Sequence, residues 1–112
     1  MSARLRSDIF VSALCRQVFA KGGFAAVERK GAEAAGAIAI RQTKRDGRET
    51  LFMPAPQVLA DEDGARVFEM RLEDVDVLTL ADKLEKERRF DSDLWIVALE
   101  IDDVSGLFAV AA

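Results

Sequence analysis

The side chains able to do chemistry fall in a few places. Asp91-x-Asp93 sets two carboxylates just ahead of Trp95, the only tryptophan. With an arginine nearby they would suit a small-molecule or phosphoester-acting enzyme, because any acid or base here must be a carboxylate, a lysine or Cys15. A second pair, Asp102-Asp103, lies at the far end of the same segment. At strand rise the two pairs stand on the order of 25 Å apart, so they cannot share one Mg²⁺ or Ca²⁺ ion. Turn formation through an Asx-type bond is the stronger account of Asp91 and Asp93. Arg41, Lys44, Arg45 and Arg48 crowd four cations around a tight turn, a pattern that could meet nucleic-acid phosphates. Phe52 is the only aromatic close by in sequence and the pI is about 4.9, so a solvated hairpin tip accounts for them better. Trp95, at the start of an apolar segment, reads as core whose indole N–H needs a partner; partly exposed beside Asp91 or Asp93, it would instead line a pocket.

Absences prune the chemistry further. With no histidine, the usual zinc, copper and non-haem iron sites lose their commonest ligand, and Ser-His and Cys-His nucleophile pairs are excluded. Tyrosine is missing too. No glycine-rich phosphate loop, nucleophile elbow or metal-spaced cluster is present, so no cofactor and no metal is expected. Cys15 lies on an apolar helical arc and reads as a buried, inert thiol; as the single cysteine it excludes an internal disulfide and fits a reducing compartment. No apolar run reaches the ~18–20 residues of a membrane span, and the start lacks a signal-peptide core, so a cytoplasmic address is expected.

Chemistry of this kind needs elements to hold it. The 112 residues suit one domain, 1–112, able to bury roughly two-thirds of its unfolded surface. Residues 1–48 carry ten Lys/Arg against four Asp/Glu, while 49–112 carry six against sixteen. If the halves interleave in one sheet, these charges mix in space. Ser7 is placed as an N-cap, followed by a helix over 8–21 with Phe10, Val11, Leu14, Cys15 and Val18 on one arc, stopped by Gly22-Gly23. Strands follow at 24–30 and 37–43, the second with Ile38 and Ile40 opposite Ala37, Ala39 and Arg41. Asp46-Gly47 signals a hairpin to a return strand at 50–53, and Pro54-Ala55-Pro56 ends it. After a polar loop at 57–66 with an acidic cluster at 61–63, residues 67–72 alternate, placing Phe68, Met70 and Leu72 on one face.

A second helix begins between 74 and 79 and ends near Arg89, supported by Asp82–Lys86 and Glu85–Arg89 pairs. Residues 94–101 are apolar on both faces, Trp95, Val97, Leu99 and Ile101 one way and Leu94, Ile96 and Ala98 the other, as an interior strand requires. Residues 107–110 read as a last strand pairing back on it. The sum is an α+β fold: a mostly antiparallel sheet of five or six strands, an N-terminal helix and a second helix before the central strand.

Four stretches together resemble the domain of unknown function 1491 family: Leu5-Arg6-Ser7-Asp8-Ile9-Phe10-Val11, Ala35-Gly36-Ala37-Ile38, Pro54-Ala55-Pro56-Gln57, and Phe90-Asp91-Ser92-Asp93-Leu94-Trp95-Ile96-Val97. The chain departs modestly from that pattern, with Phe10 where a tryptophan is common and Ser92 where a proline is common. The resemblance implies a short, stand-alone cytoplasmic protein of alphaproteobacteria and implies no activity. The leading functional reading is a non-enzymatic binding or protein-interaction module, able to form a homodimer through a sheet edge or apolar patch. Its rivals are an enzyme using Asp91 and Asp93, and a nucleic-acid accessory factor using hairpin 41–48. No membrane partner is expected, nucleic acid is the weakest of the partner readings, and the ligand stays open.

Overall fold

The computed structural model describes residues 5–56 and 66–111. In chain order the elements are α1 (Ser7–Ala20), β1 (Phe24–Arg29), β2 (Ile38–Thr43), β3 (Glu49–Pro54), β4 (Val67–Val75), α2 (Val77–Phe90), β5 (Trp95–Glu100) and β6 (Ala109–Val110). The acidic cluster expected at 61–63 lies outside the described residues. The strands form one sheet in the order β1-β5-β2-β3-β4-β6.

This α+β sheet is mixed rather than mostly antiparallel. β1–β5, β2–β3 and β3–β4 pair antiparallel, but β2–β5 and β4–β6 pair parallel. The cause of the β2–β5 pairing is the connection through α2. A helical crossover carries the chain back over one face, so β5 slots between β1 and β2 and runs alongside β2 in the same direction. The last strand also departs from expectation: β6 pairs with β4 through Val67↔Ala109 and Phe68↔Val110, not with β5.

Local signals explain most elements. The hairpin between β2 and β3 closes through Gly47 N–H to the Lys44 carbonyl at 2.9 Å and Lys44 N–H to the Arg48 carbonyl at 3.0 Å. Gly47 takes φ +85°, the left-handed position such a turn demands. Asp76 caps α2, its Oδ1 accepting from Thr79 N–H at 2.7 Å. The Lys86–Asp82 and Arg89–Glu85 pairs form along that helix at 3.4 and 3.6 Å. Ser7 does not cap α1. It is the first helical residue, fully buried, and its hydroxyl donates to the Gly36 carbonyl at 2.6 Å.

The core has two faces. Val11, Leu14 and Val18 of α1 pack on Ile38, Ile40, Val97 and Leu99, with Phe52 and Phe68 beside them. Phe108 from the C-terminal segment meets Phe52 and Phe68 edge-on, at 5.1 and 5.3 Å between centroids. On the opposite face Leu80 and Leu84 of α2 cover Ala39, Leu51, Met53, Leu94 and Ile96. Burial of each leucine side chain contributes roughly 1.5–3 kcal/mol. β5 is covered on both sides, as its two apolar faces require. β4 does not hold one face along its length. Two register shifts against β3, one leaving Arg71 as an extra residue, turn Phe68 towards α1 but Leu72 and Val75 towards α2. Met70, the partner of Phe52, is exposed.

Gly31 and Gly36 sit where the β1–β2 connection crosses the turn that leads into β5. A Cβ at Gly31 would collide with the Asp93 carbonyl oxygen and the Trp95 ring. Gly31→Ala is therefore expected to cost about 3 kcal/mol or more of stability, lowering the urea midpoint with an unchanged slope. A midpoint within error of the parent would show that the loop yields freely.

Candidate functional site

The acidic turn is built by its own bonds. Asp91 Oδ1 accepts from Asp93 N–H at 2.9 Å, and the Asp91 carbonyl accepts from Leu94 N–H at 3.3 Å. The Asp93 carbonyl takes the Ala32 N–H at 3.0 Å. Trp95 is core, 4 % exposed, and its indole N–H donates to the Ala32 carbonyl at 2.8 Å. Asp93, through its carbonyl, and Trp95 thus stitch β5 to the loop of residues 31–36, while Asp91 shapes the turn before them. They stand at the amino end of β5, whereas the basic hairpin stands at the carboxyl end, beyond Thr43↔Glu100, so the two groups do not meet.

The hairpin cations are met by carboxylates, most of them from the acidic half of the sequence. Arg41, 17 % exposed, bonds Glu49 at 2.9 Å and Glu28 at 3.3 Å. Burial alone would lower the Arg41 pKa, but the bonds and charges of Glu49 and Glu28 outweigh it and raise it. Glu49 is buried and tolerates this because Arg41 and the Thr43 hydroxyl (2.7 Å) both donate to it. Lys44 Nζ reaches Asp74 at 2.6 Å. Arg45 holds Asp102 through its backbone N–H at 3.0 Å and its guanidinium at 3.6 Å, with the side chain 94 % exposed. The Arg48 backbone N–H donates to Asp46 at 2.9 Å, and its charge lies close enough to Asp74 to help depress that carboxyl.

Between the hairpin and the end of α1 lies an open cleft of about 430 Å³ at the carboxyl ends of the parallel strands β2 and β5. Lys21, Lys44 and Arg45 face Glu100, Asp102 and Asp103 across it. Behind the lining, buried Gln42 holds two of its residues in place: its side-chain amide donates to the Ile101 and Asp102 carbonyls at 2.9 and 3.0 Å. Lys21 Nζ closes one wall on the Ser105 carbonyl at 2.8 Å. Bonds from Ser105 hold the Asp103 carboxyl below the usual aspartate range. The cleft is therefore charged yet internally balanced. Gln42, Glu49 and Lys21 were not foreseen as parts of a site; the one local signal was a glutamine extending the Ile38/Ile40 face.

Apolar groups are exposed elsewhere. Phe19 of α1 and Phe24 of β1, 51 % and 52 % exposed, touch edge to face at 5.6 Å, and Val27 follows at 44 %. The Cys15 thiol is part-buried and its pKa is pushed up by that burial, the opposite of what a nucleophile needs. Among the described residues no group of three or more acidic or thiol side chains is placed to hold a metal ion, and no helix is long and apolar enough to cross a membrane.

Fold and surfaces together define a small α+β domain, a six-stranded mixed sheet with one helix on each face. Residues 5–109 match the model of the DUF1491 family, proteins of unknown function, and the chain belongs to that family. It is 57% identical to a protein from Agrobacterium tumefaciens with a solution structure, over 97% of this chain and 96% of that one, with a TM-score of 0.88. A crystal structure of a DUF1491 family protein from Caulobacter crescentus matches at 30% identity, 96% and 98% coverage and a TM-score of 0.79. An NMR structure of a DUF1491 family protein from the same organism matches at 32% identity, 96% and 97% coverage and 0.78. Among curated proteins nothing matches.

The Lys44–Asp74 pair gives a pH test. The Lys44 hydrogen bond holds the Asp74 carboxyl below the ordinary aspartate value, against the opposing effect of burial. A depressed folded pKa contributes stability that is full above the unfolded value and is lost as pH falls through the folded one. In Lys44→Gln the Asp74 midpoint, followed by carboxyl ¹³C NMR, should rise towards the ordinary value; an unmoved midpoint would remove Lys44 as the cause.

Proposed function

We propose that this chain is a non-enzymatic binding module of the bacterial cytoplasm, and that a second copy of the chain docks along the free sheet edge at β1. The exposed apolar run at that edge carries the reading. β1 ends the strand order, so one row of its backbone N–H and C=O groups faces outward. Phe24 and Val27 lie exposed along it, and Phe19 extends the patch onto α1. Glu28 bulges from the ladder, which confines regular pairing to residues 24–27.

That short run is self-complementary. A two-fold axis through Ala25 sets Phe24 opposite Ala26 of the second copy, large against small, and leaves Glu28, Arg29 and Lys30 outside the paired stretch. The same contact removes the aromatic pair from water. The reading sets nucleic acid aside, because Arg41, Lys44 and Arg45 already answer to carboxylates of their own chain. It leaves Asp91 and Asp93 as turn formers.

Size exclusion with light scattering at micromolar concentration tests it. The expected mass is twice the 12.3 kDa of the chain, falling to a single chain when Val27→Lys places a charge on the edge. A parent protein that runs as a monomer would remove the second copy from the proposal.

A further inference from the structure

Beside α2 the sheet is incompletely covered. Leu80 and Leu84 seat the helix on its own face of the sheet, and α2 lies against β3 and β4. A groove of about 400 Å³ remains where the helix overlooks β5 and β1. Ala81, Leu84 and Ile96 give it an apolar floor, and charged side chains of both signs rim it: Arg29 and Glu28 from the β1 side, Arg41 of β2, and Arg88 and Glu85 of α2. The volume falls within the range of small-molecule sites, roughly 300–1,000 Å³.

The charges around this groove do not balance. Glu28 is engaged by Arg41, and Arg41 is also held by Glu49. Glu85 serves both Arg88 and Arg89, at 3.5 and 3.6 Å. Arg41, Arg88 and Arg89 thus share three carboxylates, and Arg29 is left with none. Its Nη1 donates to the Leu94 carbonyl at 2.8 Å, a neutral partner that fixes its position without cancelling its charge. Among the described residues no carboxylate makes an ion pair with it. Arg29 is half-buried, so water compensates the charge less well than at an open surface. One nitrogen of the fork is tethered; the remaining N–H groups are pre-oriented, and a carboxylate can accept from a guanidinium through both oxygens.

We infer that this groove binds a small organic monocarboxylate, its carboxylate on Arg29 with Arg88 assisting, and its apolar body on Ala81, Leu84 and Ile96. One negative charge matches the one surplus cation. The apolar floor is what separates such a ligand from inorganic phosphate, which would gain nothing there. Arg29 itself lies beyond residues 24–27, the stretch proposed to pair with a second copy.

The test is NMR titration of the ¹⁵N-labelled protein with sodium octanoate, 1-octanol and inorganic phosphate. Octanoate should shift the Arg29 side-chain Nε–H and the Ala81, Leu84 and Ile96 amides along one saturable curve. Octanol should leave the Arg29 signal in place, and phosphate should bind at least about tenfold more weakly, for want of apolar burial. Arg29→Gln should weaken octanoate by about tenfold or more, the loss expected for one charge-assisted pair, while Arg29→Lys, which keeps the charge, should retain part of the affinity. The amide spectrum of each variant reports its fold in the same experiment. Unsaturable shifts, equal effects of octanoate and octanol, or undiminished binding by a folded Arg29→Gln would each overturn the inference.

Discussion

Residues 31–36 form a short connection whose backbone is shared by three elements, and the rest of the sheet depends on it. Ala32 gives its N–H to the Asp93 carbonyl and its carbonyl to the Trp95 indole. Ala34 and Glu33 carbonyls receive the Ser7 and Asp8 N–H groups at 3.2 and 3.0 Å, satisfying donors that the first turn of α1 leaves open. Gly36 accepts the buried Ser7 hydroxyl, and the Ala37 carbonyl takes the Trp95 N–H at 2.8 Å. This seam sets where α1 begins, where β2 begins and at what height β5 enters between β1 and β2. Gly31 and Gly36 are needed because backbone must pass backbone there without a side chain between.

The charge asymmetry of the chain makes sense on the same frame. The basic half supplies β1, β2 and the hairpin; the acidic half supplies β4, α2 and β5. Once β5 lies beside β2, Asp102 arrives under Arg45, and β4 brings Asp74 to Lys44. Most surface pairs of this kind contribute little, about 0–1 kcal/mol each. The part-buried Arg41–Glu49 pair is different in kind, because without Arg41 the buried Glu49 would be a charge without an ionic partner. At the groove beside α2, Arg29 bonds a neutral carbonyl and, among the described residues, no carboxylate.

Much of this was legible because it is local. Asp46-Gly47 announces its hairpin, i,i+4 pairs announce α2, and the two apolar faces of residues 95–100 announce an interior strand. What failed to show was long-range. Nothing in residues 107–110 says that they prefer β4 to β5. Parallel pairing of β2 and β5 is a property of the crossover, not of either strand. The bulge at Arg71 depends on the register that β3 imposes, so simple alternation put Phe68 and Leu72 on one face when they serve opposite cores. Ser7 has the residue type of a cap and the burial of a clamp. Of the candidate site residues, Lys44 and Arg45 do line a cleft and Arg41 a groove. Arg29, which anchors the groove, carries no motif and is visible only once Leu94 and α2 are placed around it.

The binding surfaces proposed at β1 and beside α2 both rest on β5 being held between β1 and β2 by the 31–36 seam. Native-state hydrogen exchange tests that dependence most directly. The Ala32, Ser7 and Trp95 amides should exchange only through global unfolding, with the same free energy and denaturant dependence as the amides of the interior strands β2 and β3. Rapid, denaturant-independent exchange at Ala32 and Ser7 while β2 and β3 stay protected would show that the seam opens without consequence, and would contradict the account.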